Sequence, residues 1–418
     1  MNPVSGELRQ ASPPHAQPVS RLLAAGPEAE YARHADTFGH LDPDAAAPGL
    51  LNLLEASGLT GRGGAAFATW RKAVATSQSA QKRLVPVRPV VIANGAEGEP
   101  LSFKDRTLLA HAPHLVLDGL LAVARAVAAA QVYLYAPAAS IPGAQRALAE
   151  HPGGRRIQVV ASPDTFISGE ASAVVNNIAT GSAIPLDKRR RLSDTGLKGR
   201  PTLVLNVETL AHVALIARFG ADWFRAAGTP QDPGTRLVSV SGRGPGRDVV
   251  LEVPGGALLT DVLQSAGMDP ATLSAVLVGG YHGRWVRPAA HVLAPNGPVG
   301  QVVRPGAGVI HALADGQCGL QATAGIVTYL AGQSARQCGP CMFGLPAMAG
   351  VLNRIAAGEQ DPRLPGDLDR LANLVTGRGA CHHPDGTVQL IGSALEVFSG
   401  DVRSHLAGRC SAVGIWAP

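Results

Sequence analysis

The chain is poor in aromatic residues (4%), in charged residues (16%) and in cysteine, with five in 418 positions. Aromatics are scarce, and there is no interleaved basic and aromatic pattern of the kind that single-stranded nucleic acid binding needs. The net charge of +5 permits an acidic protein partner but implies no nucleic acid. Five cysteines is an odd number and two lie in Cys338-Gly-Pro-Cys341, so a reduced, cytoplasmic setting is expected rather than a disulfide framework. No apolar run approaches the roughly 20 residues of a membrane-spanning helix. The opening MNPVSGELRQASPPHAQPVS lacks the basic-then-apolar order of a secretory signal, and its Pro and Ser content predicts poor order.

What the chain does have is Gly, Pro and Ala in quantity, within 46% hydrophobic residues. That composition and length suit a soluble α/β protein of two or three domains. From about 46 to 225, strand-like runs alternate with helical patterns: Pro89–Ala93, Val132–Tyr135 and Ile157–Val160, with a helix-like run over Leu115–Ala130 between the first two. The alternation predicts a parallel sheet covered by helices. From about 235 to 305 the pattern is a small β-rich module with one helix: strands Leu237–Gly242 and Val249–Val253, then a helix over Ala257–Ala266. Beyond 316 it is helical, with candidates Leu320–Leu330, Ala347–Ala357 and Asp367–Leu374 and the cysteines in loops between them.

Four local patterns carry chemistry. Gly61-Arg62-Gly63-Gly64 is a glycine-rich loop ahead of a helix start, which lets backbone amides approach a phosphate, with Lys72 as a point charge; an ordinary tight turn reads the same way. Asn94-Gly-Ala-Glu97-Gly-Glu99 follows a strand, where ligands gather in parallel sheets, although Glu97 and Glu99 also suit a solvated turn. Asn206 and Thr209 stand at a helix start, able to bond a phosphate or to cap the helix. Cys338 and Cys341 put two thiolates within reach of one metal centre, and Cys381 can arrive from a distant loop. Cys410 has no motif around it.

Taken together, the segments 58–72, 94–106, 166–177, 199–211 and the cysteine region resemble the NADH-binding flavoprotein (51 kDa-type) subunit of respiratory complex I and its relatives in soluble hydrogenases and formate dehydrogenases. The resemblance spans roughly residues 30 to 405. It implies an N-terminal extension, partly disordered, over 1–45, a Rossmann-like FMN- and nucleotide-binding α/β domain over 46–230, a small β-grasp (SLBB) domain over 235–310, and a C-terminal helical bundle of iron–sulfur type over 311–418.

The resemblance further implies FMN and nucleotide contacts from Gly61, Arg62, Gly63, Gly64, Phe67, Lys72, Asn94, Glu97, Phe166, Gly169, Glu170, Lys188, Asn206 and Thr209, with Glu97 as a nicotinamide contact. It implies a 4Fe-4S cluster on Cys338, Cys341 and Cys381. Several family positions differ: Ala96 replaces an Asp, Leu205 an Asn, Ala171 a Glu and Phe166 a Tyr; two aromatic platforms become Ala75 and Arg191; and the first cluster ligand is Ala335. The Lys188–Arg191 run could grip a phosphate, dock an acidic carrier, or be a solvated charge run. The cysteine site could hold a cluster with a substitute ligand such as His382 or His383, be vestigial, or hold zinc.

The activity implied is transfer of electrons from NAD(P)H, or another donor, through FMN to an iron–sulfur centre. A ferredoxin-like or other iron–sulfur subunit would be the partner, with a membrane-bound redox partner beyond it and the chain peripheral to the inner face of the membrane. The alternatives are an NADH-independent relay between a ferredoxin and a membrane reductase, and a non-catalytic docking subunit that keeps the fold.

Overall fold

The computed structural model describes residues 20–27, 30–83, 85–187, 190–242, 248–298, 300–410 and 412. The first sheet consists of β1 (Val90–Asn94), β2 (Gln131–Pro137), β3 (Ile157–Ser162) and β4 (Thr202–Asn206), all parallel, in the order β3-β2-β1-β4. Alternate residues of these strands serve opposite faces. Val91, Ala93, Leu134 and Leu205 enter one buried cluster, whereas Val90, Ile92, Tyr133 and Val204 enter another. Both faces are therefore covered, and the strands read as continuous apolar runs rather than as an alternation.

The first face is packed by the helices Pro113–Ala126 and Val207–Arg225. Proline at the N-terminal end of Pro113–Ala126 is compatible with a helix start, where its missing N–H is not needed. The helix stops short of the Ala130 expected from pattern because Ala128 takes a left-handed conformation, φ 53°. At Gly119 the two helices approach so closely that a Cβ would overlap the Leu210 carbonyl oxygen. The second face is covered by the helix Ala171–Thr180 through Val174 and Val175.

The middle of the chain forms a five-stranded mixed sheet from β5 (Thr235–Ser241), β6 (Val249–Pro254), β7 (Leu273–Val278), β8 (Arg284–Val286) and β11 (Val309–Ala314). The short strands β9 (Val292–Leu293) and β10 (Val302–Val303) pair separately. The order is β6-β5-β11-β7-β8, with the last strand parallel to the first and each of these two bordered by an antiparallel neighbour. That is a β-grasp order, with the helix Leu259–Ser265 packed on one face through Leu259, Val262 and Leu263.

The C-terminal part is helical: Gly319–Gly332, Leu345–Ala356, Leu364–Val375, His383–Val397 and Ser399–Leu406. The last two go beyond the helices that pattern predicts. The expected N-terminal extension is partly built into the fold: residues 1–19 lie outside the described residues, but Leu22 and Phe38 are buried in the main core. Among the described residues no single helix is long and apolar enough to cross a membrane.

Candidate functional site

In an open parallel sheet, the crevice forms where successive crossovers leave in opposite directions, beyond the carboxyl ends of the strands. Here β1 is followed by β2 on one side, and the chain later returns to place β4 on the other, so that point lies between β1 and β4. Their last residues, Asn94 and Asn206, are register partners although 112 positions apart in sequence. A cavity of about 710 Å³ opens there, within the roughly 300–1,000 Å³ of small-molecule sites.

The glycine loop forms one wall. Gly61, Gly63, Gly64 and Phe67 line the cavity, and Phe67 is 49% exposed at its mouth. The Gly61 amide donates to the Phe67 carbonyl at 2.9 Å and the Arg62 amide to Thr209 Oγ1 at 2.9 Å. Gly63, Gly64, Ala65 and Ala66 follow within and just after a turn over residues 62–65, and all four line the cavity. Successive backbone amides in such a turn can form a nest for an anion. The helix Thr69–Gln81 follows without a side-chain cap, and Lys72 of its first turn reaches the cavity. The protein packed around Lys72 pushes its ammonium pKa down, opposed by Glu170.

The opposite rim holds polar groups that are already engaged. Asn94 Nδ2 donates to the Gly169 carbonyl at 2.9 Å, and Asn94 Oδ1 accepts from the Ala96 amide. Asn206 caps the helix Val207–Arg225 through the Glu208 amide, and its Nδ2 donates to Asp105 Oδ2 at 2.6 Å. Glu97 accepts from Ser102 Oγ at 2.6 Å, from the amides of Asp105 and Arg106, and from Arg106 Nε. Its carboxylate, 3% exposed, thus caps the helix Lys104–His111. Glu170 likewise caps Ala171–Thr180, accepting from the amides of Ser172 and Ala173. Gly98 gives close packing: a Cβ there would overlap the Thr165 carbonyl oxygen.

Arg62, expected at the cofactor, faces away. Its guanidinium donates to Thr60 Oγ1 and the Pro233 carbonyl and lies 3.6 Å from Asp232. Burial lowers its pKa to about 10. The reason is tertiary: Asp232, just ahead of β5, puts a buried carboxylate behind the loop. Lys188 lies outside the described residues, and Arg191 does not line the cavity.

The motif reading misses three cavity residues or their roles. Lys104 is buried between Asp105 (2.6 Å) and Glu208 (2.8 Å), and these carboxylates raise its pKa against the effect of burial. Burial pushes the Asp105 carboxyl up, against the pull of Lys104. Glu99 is pushed up to about 7, chiefly by burial and partly by Glu97, against hydrogen bonds from the Tyr281 and Leu101 amides. Its Oε2 accepts from the Tyr281 amide at 2.8 Å, and its Oε1 is buried with no partner among the described residues. Nothing local marks Glu99, because its environment comes from Gly280 and Tyr281.

The far wall is shared with the cysteine region. His382, Asp385, Gly386 and Gln389, around the start of the helix His383–Val397, line the cavity, and Cys381 stands next to His382. Between the two regions, the Phe166 ring lies 4.7 Å from His282 and 5.5 Å from His383, and His282 Nε2 is 3.1 Å from His383 Nδ1. Burial, then the neighbouring histidines, lower His282 to about 3, so it is neutral. Phe166 also anchors this wall through its amide, which donates to Gln333 Oε1 at 3.1 Å.

Cys338 and Cys341 share one turn, with the Cys341 amide donating to the Cys338 carbonyl. Cys341 is not in a loop but in a π-helical turn, Pro340–Gly344, that runs straight into Leu345–Ala356. Its thiol is pushed up to about 12 by burial and then by Cys338 and Cys381. A cubane cluster takes four thiolates, and Ala335 offers none. The donor set fits a cluster in which one iron is held by something other than cysteine.

Residues 54–215 match the model of the Nuo51 FMN-binding domain, and residues 321–405 match that of the NADH-ubiquinone oxidoreductase-F iron-sulfur binding region. The chain belongs to the 51 kDa-type flavoprotein subunit family of complex I. It is similar over its whole length to the NADH-quinone oxidoreductase F 2 subunit of Rhizobium meliloti, with 29% identity covering 96% of this chain and 97% of that one. The NADH-quinone oxidoreductase F protein of Escherichia coli is 29% identical over 84% of this chain and 82% of its own. Among solved structures, the NAD+-reducing [NiFe]-hydrogenase in the air-oxidized state superposes with a TM-score of 0.78 at 28% identity, covering 87% of this chain. The match takes in 63% of the hydrogenase chain, so this protein spans less than two thirds of that neighbour. The two matched regions contain the walls of the cavity built from Gly61–Lys72 and from Cys381–Gln389, respectively.

Proposed function

We propose that the chain is a flavin- and iron–sulfur-binding electron-transfer subunit that accepts electrons in the β1–β4 crevice and passes them toward Cys338, Cys341 and Cys381. The carrying observation is the shared wall: the cavity lined by the glycine loop is closed by the segment that bears Cys381. The backbone of Gly63–Ala66 along the cavity and the Lys72 ammonium suit the FMN phosphate, and Phe67 with Phe166 offers flat apolar surface for a ring. FMN, when bound, exchanges two electrons with a hydride donor and one with a metal centre.

The remaining residues position and insulate. Asn94, Glu97 and Asn206 lock the strand-end loops by hydrogen bonds within the protein, so the crevice is preorganised rather than assembled on binding. Phe166, His282 and His383 pack against one another where the cavity wall approaches the segment that bears Cys381. A ferredoxin-like or other iron–sulfur subunit is the natural acceptor, and peripheral attachment to a membrane partner from the cytoplasmic side follows. The modules 46–230, 235–310 and 311–418 then correspond to flavin site, connecting β-grasp (SLBB-like) unit and cluster carrier.

A second reading keeps the flavin and drops the nicotinamide. Glu170 is engaged in capping, position 171 is Ala, and Arg191 is away from the cavity, so the nucleotide side is thinly furnished. Anaerobically purified protein distinguishes the two. Bleaching of a flavin band by NADH or NADPH supports the first reading. A flavin band indifferent to both, but reducible by a reduced ferredoxin, supports the second. A protein that stays colourless after reconstitution with FMN and iron refutes both.

A further inference from the structure

Away from the crevice, the structure brings together three residues that local pattern leaves unrelated. Cys318 caps the helix Gly319–Gly332, with Sγ accepting from the Gln321 amide at 3.5 Å. His405 lies near the end of Ser399–Leu406, with Nε2 at 3.5 Å from Cys318 Sγ. Cys410 follows that helix, and its Sγ, Cys318 Sγ and one His405 ring nitrogen lie within 4.8 Å of one another. Cys318 and His405 are buried, and Cys410 is exposed.

Two details go beyond proximity. His405 Nδ1 donates to the carbonyls of Ile355 and Ala356, at 3.1 Å each, so the proton sits on Nδ1 and the Nε2 lone pair points at the sulfur. Metal-ligating histidines are oriented in this way. The second is the Sγ–Nε2 separation. A tetrahedral ion with bonds of about 2.3 Å to sulfur and about 2.0 Å to nitrogen sets its S···N edge at about 3.5 Å. The observed 3.5 Å matches that edge.

We infer that Cys318, His405 and Cys410 form a Cys2His site for a thiophilic divalent cation, zinc by geometry, with its fourth position toward solvent. Binding converts both thiols to thiolates and releases two protons. At Cys318 burial opposes that charge, while the Gln321 and Leu320 amides at the helix start favour it. The ion would tie the start of Gly319–Gly332, the end of Leu345–Ala356 and the chain beyond Ser399–Leu406 into one knot, independent of Cys338, Cys341 and Cys381.

The test is metal analysis and cobalt substitution of the anaerobically purified full chain, using the C338S/C341S/C381S variant to silence the other three cysteines. One zinc per chain is expected. Co2+ should give thiolate-to-cobalt charge-transfer bands and tetrahedral d–d bands in both proteins. C410S, at an exposed position that folding tolerates, should weaken Co2+ binding about tenfold or more. C410H should restore it with weaker charge-transfer bands. Equal binding by wild type and C410S, no cobalt spectrum, or a Cys318–Cys410 disulfide in place of metal would each overturn the assignment.

Discussion

Replacing Glu99 by glutamine tests the electrostatics of the crevice directly. Its carboxyl is pushed from an ordinary 4.5 to about 7, mainly by burial. The folded chain therefore holds this proton more tightly than the unfolded one. The associated stability is fully present below pH 4.5, falls as pH rises through 7, and is absent above it. At 1.36 kcal/mol per pKa unit, the change is on the order of 3 kcal/mol between pH 4 and pH 8. The amide side chain of E99Q keeps an acceptor for the Tyr281 N–H and carries no charge, so the variant should lack that slope. Urea unfolding followed by tryptophan fluorescence measures it, with Trp285 buried in the same core cluster as Tyr281. The midpoint difference between E99Q and wild type should move in favour of E99Q from pH 5 to pH 8. Parallel curves would mean that Glu99 is solvated and that the wall is looser than described.

Three further outcomes follow from the same structure. Gly119→Ala should destabilise by about 3 kcal/mol, at or beyond the upper end of ordinary overpacking, because the Leu210 carbonyl cannot yield as a side chain would; calorimetry measures it. Asp118→Asn should cost about 3–5 kcal/mol, as breaking one partner of a buried ionic cluster does. Burial opposes the Asp118 charge, yet His151, His34 and Arg218 hold its pKa well below the usual range, so wild-type stability is present above about pH 4 and is lost as pH falls, while D118N loses that acid dependence. Ala335→Cys should raise iron to about four per chain with matching labile sulfide; unchanged iron would place the missing ligand position elsewhere.

Much of this was open to local reading. Continuous apolar runs marked the parallel strands, because a strand buried on both faces leaves no polar positions to interrupt it. The glycine loop and the Cys338–Cys341 pair are short-range patterns whose chemistry depends on spacing along the chain. The roles of the carboxylates were not open in the same way. Glu97 looks like a ligand-facing acid, yet its partners are the amides of Asp105 and Arg106 and the side chains of Ser102 and Arg106, which reach it only after the loop folds back.

By itself, then, the order of residues determined which segments become strands and helices, which loop can cradle a phosphate and that Cys338 and Cys341 can share a metal. Only the tertiary structure decided that Asn94 meets Asn206, that Arg62 turns its charge away from the crevice, that Glu99 loses its solvent, and that Cys410 joins Cys318 and His405. The reason is physical. Periodicity and spacing act within one or two turns of chain, whereas burial, charge partners and metal geometry depend on groups brought together from separate elements.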